Sequence, residues 1–268
     1  MSQPLPLPPL PRAKKSLGQH FLVDTHYVGR IVVAIRPQPD DVMVEIGPGP
    51  GALTRPLLAT LHHLHAVEFD RDMVARLAAE FPDERLTLHQ ADALAFDFGA
   101  LGPDLRVVGN LPYNISSPLL FHLAEFATRI RDLTFMLQKE VVDRMAAAPD
   151  TSDYGRLSVM LQSRFAVSKL FTVPPGAFLP PPKVDSAIVR LVPLPIEAVP
   201  YRDLKLFAEV VARAFGQRRK TLRNTLKGLA TDADFAGVGI DPVRRGETLA
   251  VAEFAALANC LLEKAPAQ

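Results

Sequence analysis

The 268-residue chain lacks tryptophan, has one cysteine and carries almost no excess charge: 30 Lys and Arg stand against 29 Asp and Glu, a formal net charge of +1. A lone Cys260 excludes a disulfide framework and a thiolate metal cluster, and agrees with a reducing compartment. Balanced charge excludes a uniformly basic nucleic-acid binder, so any basic footprint has to be local. Long apolar runs are also missing. The longest uncharged stretch, 107–124, is interrupted by Gly109, Asn110, Pro112, Asn114, Ser116, Ser117 and Pro118, which makes it unfit to span a membrane. Residues 1–11 hold five prolines and no apolar core, and Arg12, Lys14 and Lys15 follow them instead of preceding them, so they do not read as a secretory signal. A soluble, cytoplasmic protein with no membrane partner is expected. Proline is the residue in excess, 25 in 268, about twice the usual share. With 48% hydrophobic and 22% charged residues the composition is ordinary for a globular protein, and the length suits one large domain with one small.

Strand and helix patterns alternate along most of the chain. Residues 1–13 read as a disordered, Pro-rich tail. A helical period follows Asp24 or Thr25, with Val28, Ile31, Val32 and Ile35 on one face, and stops at Pro37 and Pro39. The apolar run 42–46 ends at Gly47-Pro48-Gly49-Pro50-Gly51, a buried strand feeding a tight turn. Helices are predicted over 52–61, 71–81, 116–126 and 140–147, and strands over 65–69, 86–90, 105–109 and 133–138. This alternation predicts parallel βαβ units in an α/β doubly wound sheet. Strands over 157–165, 167–173 and 187–192 are expected to complete it, antiparallel at the edge. The stretch 193–200 reads as a linker. Beyond it Leu204, Phe207, Ala208, Val211 and Phe215 keep a helical period, and further helices are expected over 220–229 and 247–262. The domains expected are an α/β unit over 14–192 and a small all-helical unit over 201–268.

Open α/β sheets bind ligands at the carboxyl ends of their strands. Four successive predicted strands end there in Gly47 to Gly51, Glu68, Asp92 and Asn110-Leu111-Pro112-Tyr113. The Gly turn, including Gly47 and Gly49, lets backbone approach a ligand with no Cβ intervening. Glu68 can accept both hydroxyls of a ribose, and Asp92 the exocyclic amine of an adenine. Together these describe a nucleoside pocket without a clear phosphate site, which S-adenosylmethionine suits better than NAD or ATP. The plainer alternative makes Glu68 and Asp92 helix caps. Proline after Leu111 keeps that residue out of the helical region, so the Asn110 side-chain oxygen and the Leu111 carbonyl can face one amino group while Tyr113 stacks on its base. Two acceptors suit methylation of an exocyclic amine, whose lone pair is delocalised into the ring until the N–H bonds are pulled out of plane. The plainer alternative is a Pro-containing turn after a strand.

Four segments carry a resemblance: Lys15-Ser16-Leu17-Gly18-Gln19-His20-Phe21-Leu22, Glu45-Ile46-Gly47-Pro48-Gly49, Asn110-Leu111-Pro112-Tyr113-Asn114-Ile115-Ser116 and Phe178-Leu179-Pro180-Pro181-Pro182-Lys183-Val184-Asp185-Ser186. In order and spacing they resemble the bacterial small-subunit rRNA adenine N6-dimethyltransferases (the KsgA type), from about Lys14 to the C terminus. The resemblance implies a Rossmann-like class I methyltransferase sheet with a small helical C-terminal domain. It implies that His20 and Leu22 close over S-adenosylmethionine, that Gly47, Glu68, Asp92 and Asn110 line its pocket, and that Asn110, Leu111 and Tyr113 hold the target adenine. Many members have Asn where this chain has His20; a ring nitrogen can replace the amide donor. The implied substrate is a pair of adjacent adenosines in the 3′-terminal hairpin of small-subunit rRNA, on the immature small ribosomal subunit. The large-subunit rRNA dimethyltransferases of macrolide resistance share the catalytic domain and are the alternative enzyme. An RNA-binding assembly or transcription factor without catalysis is the alternative of another class.

Phe178 stands in a Pro-rich loop, 174–182, where an aromatic offers a second stacking face for an unstacked base; a loop anchor packed in the core is the other reading. The local basic footprint lies in the helical unit. Residues 201–268 carry 11 basic and 8 acidic groups, and Arg213, Arg218, Arg219, Lys220, Arg223 and Lys227 fall in a window, 210–231, without an acid. They are expected to contact RNA phosphates, with Arg12, Lys14 and Lys15 adding to that surface. His62, His63 and His65 lack a third ligand on one face, so no metal is expected. Cys260 reads as core, and Ser116 and Ser117 have no nucleophile turn. Nothing demands a dimer, and a monomer is expected.

Overall fold

The computed structural model describes residues 10–14, 17–112 and 115–264. In chain order its elements are β1 (Phe21–Leu22), α1 (Thr25–Ile35), β2 (Met43–Ile46), α2 (Thr54–Leu58), β3 (Leu64–Glu68), α3 (Arg71–Glu80), β4 (Leu86–Gln90), β5 (Leu105–Asn110), α4 (Ser116–Glu125), β6 (Ile130–Gln138), α5 (Lys139–Ala146), α6 (Arg156–Gln162), β7 (Phe165–Val173), β8 (Phe178–Leu179) and β9 (Ser186–Pro193). Four helices follow: α7 (Leu204–Phe215), α8 (Leu222–Thr225), α9 (Asp232–Gly237) and α10 (Val251–Lys264). A seven-stranded sheet runs in the order β4-β3-β2-β5-β6-β9-β7, and β1 pairs separately with β8. The strands from β4 to β6 are mutually parallel, and β9 runs antiparallel to both neighbours. The α/β sheet and the helical C-terminal region agree with the expectation.

The order reverses between β2 and β5, and that is where the two strands come closest. A Cβ on Gly109 of β5 would lie 2.3 Å from the Ile46 carbonyl oxygen of β2, so only glycine fits there. Buried apolar residues cover both faces of the sheet, one layer under α4 and α5 and the other under α1 to α3.

The segment 157–165, expected as a strand, is the helix α6 as far as Gln162, and the strand starts at Phe165. Val159 packs into the helical unit's core and Leu161 into the sheet's, so the segment is apolar on two sides and its period is masked. The helix expected over 220–229 is reduced to α8, with Gly228 at φ +80° beyond it. The unanticipated α9 opens on a Thr231–Asp234 capping box. The core of the helical unit also takes Tyr154 and Val159 from before the linker, and the Tyr154 hydroxyl donates to the Leu249 carbonyl at 2.8 Å. Packing therefore crosses the chain boundary at 193–200.

At the amino end of β5, Arg106 is 4% exposed and clamps three elements. It donates to Asp132 of β6 at 3.0 and 2.9 Å, to Asp41 at 2.6 Å, and to the Ile35 and Arg36 carbonyls at the end of α1 at 2.6 and 3.1 Å. Removing the guanidinium leaves two buried carboxylates without it. Arg106→Met is expected to cost about 3–5 kcal/mol, measured as a lower urea midpoint with an unchanged m-value; a loss below about 1 kcal/mol would show that the cluster adds little.

Candidate active site

A cavity of about 270 Å³ opens at the carboxyl ends of β2, β3, β4 and β5, on the switch point of the sheet. Gly47 and Gly49, at φ +66° and +52°, turn the chain out of β2 beneath it. Glu68 ends β3, Asp92 follows β4, and Asn110 and Leu111 leave β5. All six line the cavity, and the roof adds His20 and Leu22.

Their contacts orient them. Glu68 accepts the Gly49 N–H at 3.1 Å and the Asp70 N–H at 2.8 Å, which joins the Gly turn to the start of α3. The N-cap of α3 is Asp70, not Glu68. Asp92 does form a turn cap, its Oδ1 accepting the Leu94 N–H at 2.9 Å, while remaining exposed on the cavity. Asn110 Nδ2 donates to the His20 carbonyl at 3.0 Å. With Nδ2 committed as donor, the acceptor this amide offers is Oδ1. The Leu111 N–H is used by the Met136 carbonyl at 3.1 Å, and its side chain is 1% exposed. Tyr113 lies outside the described residues.

Two lining residues escaped the sequence reading. Glu45 interrupts the apolar run of β2, is 2% exposed, and accepts the Thr54 hydroxyl proton at 2.6 Å. Burial pushes its carboxyl up to about 7 against the pull of Thr54, and nearby Glu68 adds to the rise. Glu68 is also raised by burial, opposed by the Asp70 and Gly49 N–H groups. The signal for Glu45 was a carboxylate in a buried strand immediately before a Gly turn. Phe69, next to Glu68, lines the cavity with 63% of its surface exposed, an open aromatic face beside the Glu68 carboxylate. Among the described residues the lining holds Glu45, Glu68 and Asp92 and no lysine or arginine. Three acids with no lysine or arginine suit a cationic nucleoside such as S-adenosylmethionine and disfavour a phosphate.

Phe178 differs from its expected role as a stacking face. It is 3% exposed and packs in one core with Leu22, Met136, Val173 and Ile188, because its loop folds back as β8 against β1. The loop-anchor reading therefore describes this structure, and the ring presents no open face. The basic window is also narrower than expected, because acids just outside it fold back. Arg213 pairs with Glu209 at 2.6 Å, Arg218 with Glu247 at 3.4 Å and Arg223 with Asp232 at 3.0 Å. Arg219, Lys220 and Lys227 are exposed and enter no ion pair among the described residues. Lys14 is taken by Asp70 and Asp72, Arg12 is exposed, and Lys15 lies outside the described residues. His63 and His65 pack with His89 along the edge of the sheet, ring centroids 4.9 and 5.4 Å apart, and no three potential ligands converge among the described residues. No helix there is long and apolar enough to cross a membrane.

Residues 11–263 match the family model for ribosomal RNA adenine dimethylase. The ribosomal RNA small subunit methyltransferase A of Aromatoleum aromaticum is 61% identical over 255 residues, covering 95% of this chain and 96% of that protein. A dimethyladenosine transferase structure from Plasmodium falciparum aligns at a TM-score of 0.77 with 26% identity, over 89% of this chain and 96% of that one. The 23S rRNA methyltransferase ErmE aligns at 0.67 with 25% identity, over 90% and 99%.

The acids make binding of a cation pH-dependent. Burial pushes the Glu45 carboxyl up to about 7, and a cationic ligand favours its ionised form. Affinity for S-adenosylmethionine is expected to rise with pH through about 7, and Glu45→Gln to weaken binding and flatten that rise. Calorimetric titration at several pH values checks this; the same slope in the variant would remove Glu45 from the interaction. The sign for stability is opposite. A raised carboxyl binds its proton more tightly folded than unfolded, so its contribution falls as pH rises from its ordinary value of 4.5 towards 7.

Proposed function

Because the chain belongs to the ribosomal RNA adenine dimethylase family, we propose that it transfers methyl groups from S-adenosylmethionine to N6 of two adjacent adenosines in the 3′-terminal hairpin of small-subunit rRNA, giving N6,N6-dimethyladenosines. The observation that carries this is a cavity lined by three carboxylates and no cation, ending at an Asn110 amide whose donor side is already committed. S-adenosylmethionine, when bound, supplies an electrophilic methyl group on a positively charged sulfonium. Glu68 accepts from the ribose hydroxyls, Asp92 from the exocyclic amine of the cofactor, and Phe69 gives a flat apolar surface beside them. Glu45 stands buried behind the Gly turn, where a bound cation favours its ionised form.

Asn110 Oδ1 and the Leu111 carbonyl accept from the target amino group and draw its N–H bonds out of the plane of the ring. The lone pair is thereby freed for attack, and the charge that grows on nitrogen is stabilised by the same two dipoles. The methylated cation is acidic enough to pass its proton to solvent, so no strong base is required. Tyr113 stacks on the adenine. Arg219, Lys220 and Lys227, with the other three cations of the helical unit, take the RNA phosphates. We place the substrate on the immature small subunit and the chain in the cytoplasm, acting as a monomer, without a metal. The large-subunit activity in ErmE's name is the second reading, on the strength of that structural likeness.

Methyl transfer from radiolabelled S-adenosylmethionine is expected to give dimethyladenosine confined to small subunits lacking the hairpin modification. Label in large-subunit rRNA would favour the second reading; no label with RNA still bound would favour a structural RNA binder. Asn110→Ala is expected to lower kcat by about 10²–10³-fold and, since Asn110 also holds His20, to weaken cofactor binding a few-fold. Turnover near the wild-type rate would remove the role given to its side chain.

A further inference from the structure

The cavity's roof is a single stretch of chain. Leu17, Gly18, Gln19, His20, Phe21 and Leu22 all line it. The carboxyl end of this strap is sewn down by main chain: Phe21 and Leu22 pair with Leu179 and Phe178, and Val23 and Asp24 donate to the Ala177 carbonyl at 2.9 and 3.2 Å. The amino end is held differently. The middle of the strap is tied at His20, whose carbonyl accepts from Asn110 Nδ2 at 3.0 Å and whose Nδ1 meets the Pro180 carbonyl at 2.8 Å; before it, Lys14 and Gln19 both reach one carboxylate. Lys14 Nζ donates to Asp70 at 2.6 Å and to Asp72 at 2.7 Å, and Gln19 Nε2 donates to the other Asp70 oxygen at 2.9 Å. The Lys14 N–H donates to Gln19 Oε1 at 2.8 Å, which makes the two anchors one unit.

Asp70 is a fixed post. Its side chain is 1% exposed, it caps α3 through the Asp72 N–H at 3.1 Å, and its own N–H is given to Glu68 at 2.8 Å. Lifting the amino end of the strap strips a buried carboxylate of its cation and an amide donor at once, a costly state that favours closure. It also opens the cavity on the side of Glu68, where the ribose is expected, while β1 and β8 stay paired.

We propose that Lys14 and Gln19 form a latch on Asp70 that holds the strap shut over the bound cofactor and sets how fast the cofactor leaves. They are positioning residues, acting through the strap. The proposal rests on the reading of this cavity as the S-adenosylmethionine site. It differs from the phosphate contact that the sequence alone assigned to Lys14.

The test measures S-adenosylmethionine affinity and dissociation rate on the full chain without RNA, well below the unfolding temperature. Lys14→Met and Gln19→Ala are each expected to speed dissociation about tenfold, and Lys14→Arg to stay near wild type. Lys14 is 42% exposed, so salt reaches the pair. The gap between wild type and Lys14→Met should shrink as salt rises from about 0.05 to about 1 M. Asp70 is left intact, since replacing it would also uncap α3. Variants that bind but match wild type in dissociation rate and salt dependence overturn the latch alone. A wild-type chain that binds no S-adenosylmethionine overturns the cofactor reading and the latch with it.

Discussion

The approach of β5 to β2 is the contact on which the site depends. With no Cβ on Gly109, the backbone of β5 lies against the Ile46 carbonyl, and both strands leave the sheet side by side at the point where its order reverses. That places the Gly47 turn against Asn110: a Cβ on Gly47 would lie 3.7 Å from the Asn110 carbonyl oxygen. Any larger residue at 109 would force the strands apart and separate the two halves of the chemistry. At the other end of β5, Arg106 holds the same strand to β6 and Asp41 through buried ion pairs and to the end of α1 through hydrogen bonds to its carbonyls. One strand is thus fixed at both ends, by a missing methyl group above and a guanidinium below.

Charge is divided between the two parts of the chain. The cavity gathers three carboxyl groups, of which Glu45 and Glu68 are buried and have raised proton affinity; their ionised forms are favoured by a cation and disfavour a polyanion. Among the described residues, Arg219, Lys220 and Lys227 stand exposed on the helical unit outside any ion pair, away from the acids of the cavity lining. A net charge of +1 conceals both features. Because the helical unit shares its core with Tyr154 and Val159, the two surfaces are held in a common frame.

The parallel strands and their terminal residues were legible because each apolar run stops at a residue of unmistakable chemistry: Gly47, Glu68, Asp92 and Asn110 all reach the cavity. Legibility failed where one residue serves two neighbours. The α6 segment was hidden by packing against two cores, and Phe178 looked like a free aromatic because nothing local says that its loop returns to β1. Glu45 read as part of an apolar run, since its role comes from the Thr54 hydroxyl and the Glu68 carboxylate across the cavity.

The sequence by itself determined the alternation of strands and helices through the parallel part of the sheet, the residue types at those strand ends, and the family resemblance. Those depend on local period, turn residues and spacing, which are properties of short stretches of chain. Only the tertiary structure decided which charges are spent. Asp70 takes Lys14, Glu247 takes Arg218 and Asp232 takes Arg223. It also decided that Phe178 is core and that residues 17–22 roof the cavity. A charge or ring has no fixed role until folding brings a partner to it, and such partners lie as far as 160 residues away along the chain, as Pro180 does from the His20 ring.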